Sequence, residues 1–265
     1  MLDNITKSET KNTYKIGLKL RTIEINNIDC ALRLFEQKVF DYIEIYVIPD
    51  TVKQYLNYWK CMSIPFCIHA PHSFHGVNLA RKDFKSYNLK CYEEVLFFAD
   101  EIKCEKIVAH GGNNGTIDET IKQLQNINDK RILIENKPYD GINGEICVGC
   151  TPDEIQKVLE RAPVGGNILD FGHAVCAANS LGKDAIEMIE KMILFNPKMY
   201  HLADGDLNSK IDRHDNLGKG NFPIGSFLQM IEQDTMITLE TPRNPDNGLD
   251  DFENDVQNLF KQSEI

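Results

Sequence analysis

Eight short runs of apolar and β-branched residues recur along this chain, each followed by a segment whose apolar residues repeat every three or four positions. The runs are YKIGLKL (14–20), YIEIYVI (42–48), FCIHA (66–70), KIVAH (106–110), RILIE (131–135), NILDF (167–171), MYHLA (199–203) and MITLE (236–240). The intervening stretches include CALRLFEQK, SYNLKCYEEVLFFADEIK, DEIQKVLERA, DAIEMIEKMILF, SFLQMIEQD and DDFENDVQNLFKQ. A helix start is marked at Thr151-Pro152-Asp153-Glu154, which offers a cap, a first-turn proline and acids at the positive helix end. Eight strands alternating with eight helices in 265 residues is the count of one closed (β/α)8 barrel. An open doubly wound sheet would carry a glycine-rich phosphate loop after its first strand, and GLKLRTIE is not one. The expected organisation is a polar N-terminal tail at 1–13 and a barrel over 14–265.

Charge narrows the partners. With 29 basic and 40 acidic side chains the net charge is −11, so a polyanion needs a local positive site rather than a basic surface. No run approaches the apolar length of a membrane span, and the N-terminus lacks the apolar region of a secretory signal. A cytoplasmic protein with reduced thiols is expected for the eight cysteines, and no membrane or protein partner is inferred. Cys147 and Cys150 alone have CxxC spacing; a plain loop with two thiols is favoured over a redox or metal role.

Five of the seven histidines and four carboxylates fall at predicted strand ends or in the loop just after. They are His69, His110, Glu135, Asp170, His173, His201, Asp212, His214 and Glu240. A barrel of this type brings all C-terminal strand ends to one face, the face that carries chemistry. Singly, a histidine or acid at a strand end is ordinary. Jointly, four buried carboxylates resist ionisation unless cations accompany them. Imidazole with carboxylate and no thiolate suits zinc, with manganese or iron as further choices. One zinc takes three or four protein ligands, so nine residues point to two or three ions, with an acid such as Glu135 bridging. Three dications against four carboxylates leave about two positive charges, which would draw in an anionic substrate.

The set HAP, VAHGG, IENK, LDFGHA, YHLADG, DRHDNLGKG and LETP, spanning about 66–242, resembles the endonuclease IV branch (AP endonuclease family 2) of the xylose-isomerase-like TIM barrels. That resemblance implies a trinuclear zinc-type site. One position would use His69, His110 and bridging Glu135; a second Glu135, Asp170, His201 and Glu240; a third His173, Asp212 and His214. It implies metal-dependent phosphoester hydrolysis, in the family the cutting of DNA on the 5′ side of an abasic site, with Glu135, Asp170 and Glu240 at the reacting centre.

The nucleic-acid grip departs from the family pattern. The glycine-rich first loop is LKLRTIE here, and the basic and aromatic second loop is YVIPDTVKQY. His72 replaces an aromatic, and Ala203 replaces an asparagine. The alternative is therefore a sugar or sugar-phosphate isomerase or epimerase, with Glu135 and Glu240 flanking a hydroxy-ketone. Glu44 resembles a lumenal glutamate of such enzymes; a salt bridge inside the barrel is the plainer role. A binding protein with an inert metal site is a third class. Substrate contacts are expected from His72, Lys19, Arg21, Arg213 and Lys219, with His75 near the pocket. Gly218 and Gly220 would let the backbone bend close to the site, and Trp59 would pack on a helix.

Overall fold

The computed structural model describes residues 14–263, so the stretch read as a polar tail lies outside the described residues. Eight parallel strands close in chain order into a barrel. They are β1 (Lys15–Arg21), β2 (Tyr42–Tyr46), β3 (Phe66–His69), β4 (Ile107–His110), β5 (Ile132–Glu135), β6 (Gly166–Asp170), β7 (Tyr200–Leu202) and β8 (Met236–Leu239). The ring is sealed by β1 against β8, with Lys15 opposite Met236 and Leu18 opposite Leu239. Around it lie helices α1 (Ile28–Glu36), α2 (Val52–Lys60), α3 (Lys85–Glu101), α4 (Ile117–Ile127), α5 (Pro152–Arg161), α6 (Phe171–Leu181), α7 (Ala185–Ile193), α8 (Ile224–Gln229) and α9 (Asp250–Ser263). Among the described residues, no helix is long and apolar enough to cross a membrane.

Alternation along each strand builds two cores. Outward residues such as Ile107, Ala109, Ile132 and Ile134 join the large core between strands and helices. Inward residues Tyr42, Cys67, Val108, Leu133, Ile168 and Met199 form a separate plug in the barrel. Strand side chains repeat every second residue, so the next inward position up from this plug is occupied by Glu44, His69, His110, Glu135, Asp170 and His201. One apolar layer thus carries one layer of ligand-type residues. Gly17 takes part by having no side chain: a Cβ there would collide with the Tyr42 ring, whose hydroxyl lies 2.8 Å from Thr238 Oγ1.

The sixth crossover differs from the expected alternation of single helices, because it holds both α6 and α7. All of Phe171 to Ala178 in α6 is buried, so this helix is small and apolar all round and has no face for periodicity to reveal. Trp59 does sit on a helix, α2, but is fully buried, and its indole N–H donates to Thr22 O at 2.9 Å.

Candidate metal centre

Strand ends supply most of the constellation. His69, His110, Glu135 and Asp170 are the last residues of β3, β4, β5 and β6, and His201 is central in β7. Glu240 follows β8, where its backbone N–H still donates to Leu202 O. Asp212 and His214 come from the β7–α8 loop. His173 is on the first turn of α6 rather than at a strand end; Asp170 Oδ1 caps that helix by accepting from His173 N at 2.7 Å.

Glu135 is the hub. Its Oε2 lies 2.7 Å from His110 Nε2 and 3.3 Å from His69 Nε2, and its Oε1 lies 3.1 Å from His173 Nδ1 and 3.4 Å from His201 Nδ1. His173 Nε2 is 3.3 Å from Asp212 Oδ2, which also contacts His214 Nε2. His201 Nδ1 is 2.6 Å from Glu240 Oε1. Four overlapping groups bring their ligand atoms within 4.8 Å of one another: His69–His110–Glu135, His173–Asp212–His214, Glu135–Asp170–His173 and Glu44–His69–His201–Glu240. The first two are the sets the resemblance implies. The implied quartet Glu135, Asp170, His201 and Glu240 is instead divided between the other two, and Glu44 enters in place of Asp170.

Backbone and carboxylate partners orient the rings. The Nδ1 atoms of His69, His173 and His214 face the carbonyls of Ala70, Asn136 and Glu240 at 2.8, 2.9 and 2.7 Å. An N–H donated there leaves Nε2 as the free lone pair. His201 is turned the other way: Nε2 is held by Glu44 Oε2 at 2.9 Å, so Nδ1 faces the acids. Glu44 also accepts from Thr238 Oγ1 at 2.7 Å.

Charge in this cluster is concentrated. Burial tends to raise the Asp170 carboxyl; neighbouring His173 opposes that, while Asp212, Glu135 and Glu240 add to it, and the value rises to about 6. Burial likewise opposes charge on Glu44, but His201 and Lys19 outweigh it and hold the group at about 2. His214 is lifted to about 9, because Asp212 and Glu240 overcome its burial. His173 and His201 are raised in the same way by their acidic neighbours. His110 is lowered, by burial first and then by Lys137.

These residues fit divalent cations. Glu135 Oε1 and His201 Nδ1 are buried with His173 Nδ1 and Glu240 Oε1 at 3.1 and 2.6 Å, yet neither atom makes a well-formed hydrogen bond, an arrangement of converging ligand atoms that a cation would satisfy. Five acids (Glu44, Glu135, Asp170, Asp212 and Glu240) with the imidazoles form a nitrogen and oxygen donor set of the kind that divalent cations take, and the imidazoles would bind them in their deprotonated form.

The expected substrate residues disperse. His72 lines the cavity over the cluster and stacks on His110 at 4.6 Å, while its Nδ1 accepts from Phe74 N. Arg21 lines an adjoining cavity of about 360 Å³ with His75, whose Nδ1 is 2.8 Å from Tyr46 Oη. Lys19 lines both cavities, yet its ammonium pairs with Glu240 and lies 3.3 Å from Glu44, so the cation faces the acids rather than open space. Arg213 is placed outside either cavity: it is half exposed and pairs with Asp215 at 2.9 Å, because its neighbours Asp212 and His214 turn inward. Lys219 is exposed on the same loop and also lines neither cavity. Gly218, at φ +84°, donates to Asp204 Oδ2, and Gly220 is packed against Gly205, so this loop is folded around the buried Asp204 carboxylate. Cys147 and Cys150 are free buried thiols; Cys147 lines the cavity and Cys150 Sγ lies 3.3 Å from Glu154.

Lys137 was missed by reasoning from the sequence. It stands in the cavity wall with His69, His110, His173, Asp212, His214 and Glu240. The available signal was parity, since it lies two residues beyond Glu135 and four beyond Leu133 in IENK.

Comparison with known proteins agrees with this architecture. A profile described as xylose isomerase-like TIM barrel matches residues 32–261. A probable endonuclease 4 of Aquifex aeolicus is 27% identical over 229 residues, covering 76% of this chain and 78% of that protein. Endonuclease IV of Thermus thermophilus superposes with a TM-score of 0.65 at 19% identity, over 93% of this chain and 99% of that one. A D-tagatose 3-epimerase-like protein superposes with a TM-score of 0.69 at 20% identity, over 94% and 98%. At such identities the two solved structures establish the shared fold alone.

Proposed function

Because this chain belongs to the xylose isomerase-like TIM barrel family, we propose that it is a metal-dependent phosphoester hydrolase of the endonuclease IV kind, acting at abasic sites in DNA. The observation that carries this reading is the union of nine predicted ligand residues in overlapping groups around Glu135. A one-ion site needs three or four ligands, and here His173, Asp212 and His214 form a further set beside those of β3 to β5. The probable endonuclease 4 relatives support the same direction.

His69, His110 and Glu135 would hold one zinc-type ion, and His173, Asp212 and His214 another, with His201 and Glu240 completing the centre. Divalent ions bound there supply Lewis acidity and neutralise charge on a phosphoryl group. The protein's own residues do the placing. Glu135 spans the centre with one oxygen to each side. Asp170 commits Oδ1 to the α6 cap, which fixes its carboxylate beside His173 and Glu135 at the centre. His72 stacks on His110 and holds that ring in the cavity wall.

A second reading, a sugar or sugar-phosphate isomerase or epimerase, is favoured by Glu44 and Lys19. Both lie in the barrel beside Glu240, below an opening of small volume. The deciding experiment uses protein purified without chelator and a duplex containing a tetrahydrofuran abasic analogue. We expect incision 5′ to the lesion, loss of incision with EDTA, and at least a hundredfold loss in His173→Ala and His214→Ala. Absence of incision together with metal-dependent deuterium uptake by a ketose phosphate overturns hydrolysis in favour of isomerisation.

A further inference from the structure

Two lysines line the cavity above the acid cluster, and they differ in one respect. Lys19 is paired with Glu240 and Glu44. Lys137, half buried, has no ion-pair partner within 4.0 Å among the described residues. Its backbone is fixed, since Lys137 N donates to Gly149 O at 2.9 Å and Pro138 follows directly. The loop that carries it is folded on itself by Cys147 N to Tyr139 O and Gly141 N to Glu145 O. Of the acids lining the same cavity on this loop, Glu145 is engaged by Asn143 through N and Nδ2 at 2.9 and 3.1 Å, and Asp140 is the remaining one. Lys137 shares the wall of this cavity with His72, His110 and His173, on the histidine side of the centre. A cavity-lining lysine without an ion-pair partner offers an incoming anion a charge that no neighbouring acid has already neutralised.

We propose that Lys137 forms an anion subsite that grips a non-reacting oxygen of a phosphate group lying over the His110–His173 side of the centre. This deepens the metal-centre reading and rests on it. The shared chemistry is a phosphate, whether from a DNA strand or from a small sugar phosphate. A lysine serves this purpose as a point charge free to follow the oxygen.

The test is calorimetric titration of inorganic phosphate into zinc-loaded protein, with zinc per chain counted by mass spectrometry. Lys137→Met should keep its zinc and bind phosphate at least tenfold more weakly. Lys137→Arg should stay within about threefold of wild type, and Lys157→Met, a charge change on the exposed face of α5, should match it. Lys137→Gln provides the same reading if the methionine variant is poorly folded by circular dichroism. Unchanged phosphate affinity with zinc retained overturns the subsite and leaves the metal centre standing. If wild type takes up no zinc, the centre itself falls. Phosphate titration of the metal-free protein then still decides: loss in Lys137→Met supports the subsite, and equal or absent binding in both overturns it. Steady-state arms with an abasic duplex and with ribose 5-phosphate identify the source, because KM should rise in Lys137→Met for the true substrate while kcat changes less.

Discussion

Glu44 is a charged residue with no exposed surface, inside a barrel whose lower layer is apolar. Its carboxylate is tolerated because His201, Thr238 and Lys19 surround it, and in return it fixes which nitrogen His201 presents. Such an outer partner typically contributes about 10–100-fold to metal affinity. Glu44→Gln, which preserves volume and removes charge, should therefore weaken zinc binding by that order in competition with a chromophoric chelator. Unaltered zinc affinity would reduce Glu44 to a filler of the lumen. The nine ligand types are legible in the sequence only jointly: one histidine or acid at a strand end is ordinary, but six successive strand-end units repeat the signal. Charge partners were less legible. Lys19, Arg213 and Lys219 all read as substrate contacts, but pairing of Lys19 with Glu240 and of Arg213 with Asp215 depends on residues 221 and 2 positions away, which spacing alone cannot rank.

At the level of elements, α5 was foreseen from its start signal, and the cap forms: Thr151 Oγ1 accepts from Glu154 N at 3.3 Å, with Pro152 in the first turn. This cap also ends the loop on which Lys137 stands. Thr151→Ala should lower unfolding stability by about 1 kcal/mol in urea melts, with the slope of the transition unchanged. A loss below a few tenths would mean that Glu154, which also accepts from Cys150 N and Gly149 N, organises the helix start alone. α6 was not foreseen as an element of its own. Its sequence, FGHAVCAANSL, lacks a polar face because strands, α7 and the β7–α8 loop cover it, so period-based reasoning had no contrast to detect. The same small residues allow His173 to begin the helix while lying against Asp170 and Glu135.

Over the whole molecule, a net charge of −11 coexists with an interior knot of acids that lifts His173, His201 and His214 above the ordinary imidazole range. A histidine with a raised folded value contributes stability that is complete below its ordinary 6.5 and disappears as pH climbs through the folded value, about 9 for His214. The chelated protein should thus lose thermal stability between about pH 6.5 and 9. Metal uptake must expel protons from these imidazoles, so the rise in Tm on adding zinc should grow across the same interval. Thermal melts with EDTA and with zinc at three pH values check both slopes. Parallel curves would show that the imidazoles do not exchange protons for metal.

The seam between β1 and β8 has a temporal consequence. Lys19 and Glu240 face each other across it, from opposite ends of the chain, and Glu240 also closes on His201 and His214. A nascent polypeptide emerging from the ribosome has produced most of the candidate ligand side chains long before this last acid is made. Until then the hoop is open at one stave, and both flanking strands have bare edges. Under the proposed metal centre, ion capture and hoop closure should therefore be a single late event in biogenesis, so that an unfinished chain carries the candidate donors without an assembled centre.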